Sequence, residues 1–550
     1  MTVLNNFILL SFWSQPLNIL LFLPLLGALI ACFVKGENKL RMVMIGTASV
    51  TFLWSLRVWN LFSSSNAEKF IAELGEAFPD PFGFKLGYLA PWFPEIGMGN
   101  GPGVAWYMGI DGISLALIVL TTFVSISAAI SSNSIKERLQ LYVVLFLLLE
   151  TSLLGVLVAR DFFMFFVFWE LMLLPMYFLI GIWGGKNRVY AAIKLFLYTL
   201  AGSVAVLIGI LVMFWASPVR SFGISELTTF FANNIPVDGP GLVTQTSLFL
   251  LFFIGFGIKV PIVPFHTWLP DAHVQAPTPI SMMLAAVLLK MGTYGFIRIL
   301  LPATNGAIHD TDGIAVPLMA IVGVVSMVYA ALAAMAQKDW KSMVAYSSIS
   351  HMGYLIFAFS TASELGLSAG MFIMVSHGLI SACMFHMVGV VYERTHNRDL
   401  MAYGGLGSIV PKYFTIWIFV GMANLGLPGL SGFWGEFMAF VAAFSKFDWI
   451  VSSGIFEGMN FFRVLAAFGV VTIVITAAYM LLMIQRIFMG PLNEKWKDLQ
   501  DMKKWEVWAI APVMFFILYY GLNPKAMVDI YGPATARLAE SLSYLTSIVP

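Results

Sequence analysis

Cysteine is nearly absent: Cys32 and Cys383 are the only two in 550 residues. Both sit in apolar runs, so a disulfide framework or Cys-rich metal site is not expected, and each is read as a small buried hydrophobe. His, Asp and Glu never fall at a metal-ligand spacing, so neither a metal site nor redox chemistry inside the chain is expected. Charge is scarce as well. Asp, Glu, Lys and Arg make up 11% of the residues, against about 25% in a soluble domain. The net charge of +1 gives no basic surface for nucleic acid. Residues 1–16 hold no Lys or Arg, whereas Lys35, Lys39 and Arg41 follow the first apolar run. That reverses the basic start of a secretory signal and predicts a first transmembrane helix with its N-terminus outside. No linker, low-complexity tract or soluble domain interrupts the chain.

What is present is hydrophobic, 59% of all residues. Apolar segments of about 17–25 residues, enough to cross a bilayer, centre near residues 26, 52, 120, 148, 172, 203, 255, 289, 325, 350, 380, 425, 473 and 515. An all-α polytopic membrane protein with 14 transmembrane helices is predicted. Assigning loops alternately places 16 of the 30 Lys and Arg inside and 10 outside. Lys35, Lys136, Arg138, Lys186, Lys338, Lys341, Arg394 and Lys495 are among the inside set; Arg160, Arg220 and Arg298 are counted outside. The positive-inside rule therefore puts both termini on the outer, periplasmic face. The outer loop at about 63–109, rich in Pro, Gly and aromatics, is expected to be ordered against that face.

Two spans are interrupted. In the first, Lys259-Val-Pro261-Ile-Val-Pro264-Phe-His266-Thr-Trp268-Leu-Pro270-Asp271-Ala-His273 ends an apolar run with a lysine and two prolines. The second reads Asn424-Leu-Gly-Leu-Pro428-Gly429-Leu-Ser431-Gly-Phe-Trp-Gly-Glu436. Proline removes a helix hydrogen bond, and lipid has no water to replace it, so such breaks are buried in protein or line a wet cavity. Each break has an ionisable residue beside it, which costs several kcal/mol at bilayer depth unless it is used. They fall in the fourth helix of two successive five-helix blocks, helices 4–8 and 9–13. Paired interruptions at matching positions point to two inverted repeats. Domain limits follow: 1–135 for helices 1–3 and the long outer loop, 136–305 and 306–490 for the two repeats, and 491–550 for an inner loop, helix 14 and a C-terminal tail.

Other spans carry buried ionisable groups. Glu170 lies among aromatics in Phe165-Phe-Val-Phe-Trp-Glu170, where a lysine partner would keep it charged; a static ion pair is the plainer alternative. Lys290 is mid-span, too deep to snorkel to the surface. His351 and His377 lie in neighbouring spans and titrate near neutral pH. Glu150 is mid-span with no evident partner. Lys194, near a helix start, reads as interfacial, and Arg486, near the inner end of its helix, reads equally as a snorkelling anchor or a functional group. His386, His396 and His309 read as structural or loop residues.

Phe165–Phe178, the Lys259–His273 run, Ala345-Tyr-Ser-Ser-Ile-Ser-His351-Met-Gly353 and Leu427–Phe437 together resemble the antiporter-like membrane subunits of respiratory complex I. The likeness extends over helices 3 to 14. It implies fourteen core helices and a polar axis: a glutamate on helix 5, lysines on helices 7 and 8, and an ionisable group on helix 12. By resemblance those positions are Glu170, Lys259, Lys290 and Glu436, with His351 and His377 as relay residues, helix breaks at Pro261, Pro264, Pro428 and Gly429, and Glu150, Lys194 and His266 as secondary candidates. Lysine on helix 12 typifies the L- and N-type chains, so Glu436 favours the M-type. The resemblance further implies proton translocation in a bacterial inner or equivalent energy-transducing membrane, beside L- and N-type chains. A peripheral redox arm would hold FMN and iron–sulfur clusters. A cation/proton antiporter or an energy-converting hydrogenase would share this fold.

Overall fold

A computed structural model describes residues 12, 15–64, 84–93, 103–218, 221–446, 449–450 and 457–544. It is mostly helical, as apolar runs must be when lipid offers the backbone no partner. Helical segments lie at or beside each expected centre, with Met172 and Leu425 themselves in turns between helical segments. Among the described residues, eleven are continuous, long and apolar enough to cross a membrane. Three places differ: Trp340–Ser360 is a continuous but more polar helix, and two spans are broken. The first break separates Gln245–Lys259 from Trp268–Gln275, and Pro261 and Pro264 lie within it. The second separates Pro411–Asn424 from Ser431–Phe444 around Pro428 and Gly429.

Thr278–Ala303 and the body of Glu364–Thr395 are enclosed by the other helices, whereas Glu37–Ser63 and Lys504–Leu522 lie at the rim. Rim side chains such as Leu53, Trp215 and Phe515 point outward, as apolar groups do against lipid. Glycines set the close approaches. At Gly292 a Cβ would meet Val260 N at 2.9 Å and Phe256 O at 3.0 Å, so the helix bearing Lys290 abuts the first break. At Gly426 φ is +74°, which turns the chain sharply at the second.

Several expectations change. The fold is not purely α: Lys85–Phe93 and Val104–Ile110 form an antiparallel hairpin inside the expected outer loop, whose residues 65–83 and 94–102 lie outside the described set. The tail after the last span is a helix, Lys525–Tyr544, and Tyr531 Oη donates to Ser368 O at 3.1 Å. Cys383 is buried but Cys32 is exposed, on the outer side of the Pro16–Phe33 helix. Of the basic residues counted as loop residues, three are buried and a fourth, Arg394, is partly buried. Arg298 pairs with Asp111 at 2.6 Å, and Arg160 donates to Tyr294 Oη at 3.0 Å and Ser114 Oγ at 2.9 Å. Arg394 grips Glu506 through both carboxylate oxygens, at 2.8 and 2.7 Å, and Lys341 is almost fully enclosed. Loop counting misses them because each sits at a helix end whose partner is far away in sequence.

Candidate functional site

Four of the six principal candidates form one line. Lys290 occupies the wholly buried Thr278–Ala303 span, between two π-helical turns, Leu284–Leu288 and Phe296–Leu300. Widening the helix there puts Ala285 O, five residues back, within reach of Nζ at 2.7 Å. The same Nζ meets Nδ1 of His377, from Glu364–Thr395, at 2.6 Å. An ammonium can donate to this nitrogen when Nδ1 is bare, in the tautomer that carries its ring proton on Nε2. The His377 and His351 rings lie 5.3 Å apart. His351 Nε2 then meets Glu436 Oε1 at 3.2 Å.

His351 is oriented by backbone. Its Nδ1 faces Ser347 O at 2.7 Å and its Nε2 also faces Asn424 O at 3.2 Å. Asn424 ends the first half of the second broken helix, so its carbonyl is one the break sets free. Both ring nitrogens face acceptors, the geometry of a doubly protonated imidazolium. His351, Ser376, His377, Asn424 and Glu436 line a cavity with room for about one water. Asn424 Nδ2, Ser431 Oγ, Thr472 Oγ1 and Tyr479 Oη are buried nearby without a protein hydrogen bond, which makes the surroundings of Glu436 polar.

The other two principal candidates stand close but unbonded. Lys259 Nζ is buried without a hydrogen bond and sits 4.8 Å from the Trp169 ring centre, whose indole N–H donates to Ser203 Oγ at 3.0 Å. Glu170 follows Trp169, and its carboxylate acts on Lys259 electrostatically. Instead of being enclosed among aromatics, Glu170 is half-buried; its Oε1 has no hydrogen bond. No ion pair within 4 Å joins Glu170 to Lys259, whose Nζ lies over the Trp169 ring.

Secondary candidates divide. Lys194 pairs with Asp271 at 2.7 Å in a partly exposed position, an interfacial bridge onto the second half of the first broken helix. His266 is buried against Tyr329, ring centres 5.3 Å apart. Glu150 is fully buried and in no ion pair, with the Ser125 hydroxyl beside it. Two residues named in the sequence were not singled out as candidates. His273 is fully buried, stacked on Phe385 at 4.2 Å, with neither nitrogen hydrogen-bonded. Lys341 donates to Ala276 O at 2.5 Å. The signal for Lys341 was Asp339, whose side chain caps the helix by accepting from Ser342 N, placing the lysine in its first turn. His386 is structural, held by Ser131 Oγ at 2.8 Å and Glu506 O at 3.0 Å.

A polytopic helical bundle with two broken helices flanking a line of buried ionisable groups defines a class, the antiporter-like subunits of proton-translocating membrane complexes. Residues 159–460 match the family model described as NADH:quinone oxidoreductase/Mrp antiporter, TM. Subunit M of NADH-quinone oxidoreductase from Rhodobacter capsulatus is 37% identical over 541 residues, covering 96% of both chains. Its counterpart from Rickettsia felis is 36% identical over 525 residues, 94% of this chain and 97% of that one. A chain of respiratory complex I from Thermus thermophilus superposes with a TM-score of 0.79 at 25% identity, covering 96% of this chain and 99% of that one. A chain of the Mrp complex from Dietzia gives 0.75 at 18% identity, a likeness of fold alone. The chain belongs to the M-type (chain 4) family of NADH-quinone oxidoreductase membrane subunits.

Proposed function

We propose that this chain translocates protons through Glu170, Lys259, Lys290, His377, His351 and Glu436, and itself carries no electrons. The observation that carries this reading is the line from Lys290 through two imidazoles to Glu436, with its 2.6 and 3.2 Å terminal contacts. A wholly apolar core would be more stable than one holding such groups, so their alignment is retained for use. Electron transfer in a peripheral arm, where FMN and iron–sulfur clusters reside, changes the charge felt by half-buried Glu170. Lys259 responds and passes its proton toward Lys290, the histidines and Glu436. The half-exposed face of Glu170 suits contact with an adjoining L- or N-type chain.

The architecture of the proposal is fourteen crossings: the eleven continuous spans, the two broken ones and Trp340–Ser360. Blocks 136–305 and 306–490 are then inverted repeats, each broken in its fourth helix, between the N-terminal segment 1–135 and the C-terminal segment 491–550. Both termini face the periplasmic side. The test is Lys290→Met or Lys259→Met in the intact complex reconstituted into liposomes. Methionine keeps the apolar stem and loses the proton, so each variant assembles but pumps poorly. Undiminished proton stoichiometry in an assembled variant removes that lysine from the path.

A further inference from the structure

Glu150 stands apart from that line. It lies in the middle of the Leu139–Val158 helix with no exposed surface. Neither carboxyl oxygen has a hydrogen bond of ordinary geometry; the Ser125 hydroxyl is the polar group within its reach, and no ion pair reaches it among the described residues. Glu436 has an imidazole and Glu170 has Lys259 nearby; Glu150 has neither. A buried carboxylate without counter-charge or donors takes up a proton and becomes neutral.

Its surroundings lead to Lys290. The polar side chain beside it is Ser125, whose Oγ donates to Thr121 O at 2.9 Å and lies 3.8 Å from Met283 Sδ. Met283 immediately precedes the π-helical turn that presents Ala285 O to Lys290. The Leu289–Gly295 segment, which contains Lys290, packs directly on the helix of Glu150. Near the far end Tyr294 Oη donates to Leu157 O at 3.3 Å. Through Ser125 and directly at Tyr294, residues 150 and 157 follow the same order along the pair as residues 283 and 294. Lys290 lies about 6 Å before Tyr294 and Glu150 about 10 Å before Leu157, at a rise of about 1.5 Å per residue. The two groups are therefore within about two turns in depth.

We propose that Glu150 is a further proton-holding residue of this chain, a neutral carboxylic acid that reprotonates Lys290 after the lysine has passed its proton to His377. In the step the carboxyl O–H bond breaks and an N–H bond forms on the free amine, with the Ser125 hydroxyl or a water as bridge. A carboxylate and an ammonium result, and the carboxylate is refilled by a proton from the adjoining aqueous side. The proposal rests on the relay reading above, and the experiment separates the two.

Glu150→Gln keeps size and shape but holds no exchangeable acid proton; Glu150→Asp keeps the acid. Both are prepared in the intact complex alongside Lys290→Met. Infrared difference spectra in H2O and D2O should show a protonated-carboxyl band in the parent that is missing in Glu150→Gln and displaced in Glu150→Asp. A structural role alone would not produce that signature. Proton translocation should fall at least ~10-fold in Glu150→Gln and return substantially in Glu150→Asp. A band that persists in Glu150→Gln overturns the proposal. So does parental pumping by Glu150→Gln while Lys290→Met is impaired. Parental pumping by Lys290→Met instead overturns the relay reading itself.

Discussion

Replacing Glu436 by glutamine tests the line at its most defined contact. The amide occupies nearly the same volume, so His351 keeps Ser347 O and Asn424 O as acceptors at 2.7 and 3.2 Å. What goes is the negative charge 3.2 Å from His351 Nε2. At an effective dielectric of about 20, two unit charges at that separation attract by roughly 5 kcal/mol. If relaxation and water recover half, the proton held on His351 still loses roughly 2.5 kcal/mol, nearly two orders of magnitude in occupancy at about 1.4 kcal/mol per decade. Glu436→Gln should therefore assemble normally and lower the proton-translocation rate at least ~10-fold. Alanine should do the same, while lysine, which carries a proton on its own amine, should retain more pumping than alanine. The assay is the reconstituted complex in liposomes containing a pH-sensitive dye, driven by electron donor and quinone and normalised to assembled complex. Parental rates for both the glutamine and alanine variants would remove Glu436 from the path. Equal inactivity of the lysine and alanine variants would show that a titratable group alone does not suffice.

Two further perturbations separate function from scaffold. Glu170→Gln should leave assembly largely intact, because the residue is half-buried and Oε1 forms no hydrogen bond. Pumping and coupled electron transfer should both fall, and normal pumping by the assembled variant would end its role as charge partner to Lys259. Arg298→Leu should act the opposite way: it strands Asp111, a buried carboxylate now held at 2.6 Å, a change that costs about 3–5 kcal/mol. The expected result is loss of the subunit from membranes or a lowered Tm of the complex; full accumulation would refute the structural assignment.

The spans and both interruptions were legible because they are local. Apolar runs, Pro261, Pro264, Pro428 and Gly429 mark them without reference to anything distant. The identity of the buried acids and bases was legible for the same reason, since any charge within an apolar run is conspicuous. Partnership was not. Lys290 meets a histidine 87 residues on, and Arg298 an aspartate 187 residues back, so Arg298 reads as a loop anchor until the helices are packed. Lys341 was lost to the same ambiguity at a helix start. The hairpin at Lys85–Phe93 was hidden by Gly87 and Pro91, both poor strand formers.

The least legible feature is that backbone carbonyls, not side chains, hold much of the line. Lys290 rests on Ala285 O, available where the helix widens into a π turn, and π turns recur at functional sites. His351 rests on Ser347 O and on Asn424 O, the latter freed where the helix stops. A carbonyl belongs to every residue, so no sequence signal distinguishes these three. Their use explains why interruptions accompany the charges: an intact helix commits its carbonyls to its own amides, leaving few for a buried cation. The break does for His351 what the π turn does for Lys290. Gly426 is part of that device, since its positive φ closes the turn, and a Cβ there would stand 2.9 Å from Glu436 Oε2. Charge and break are thus one construction: the turn that frees Asn424 O for His351 also sets Gly426 against the Glu436 carboxylate.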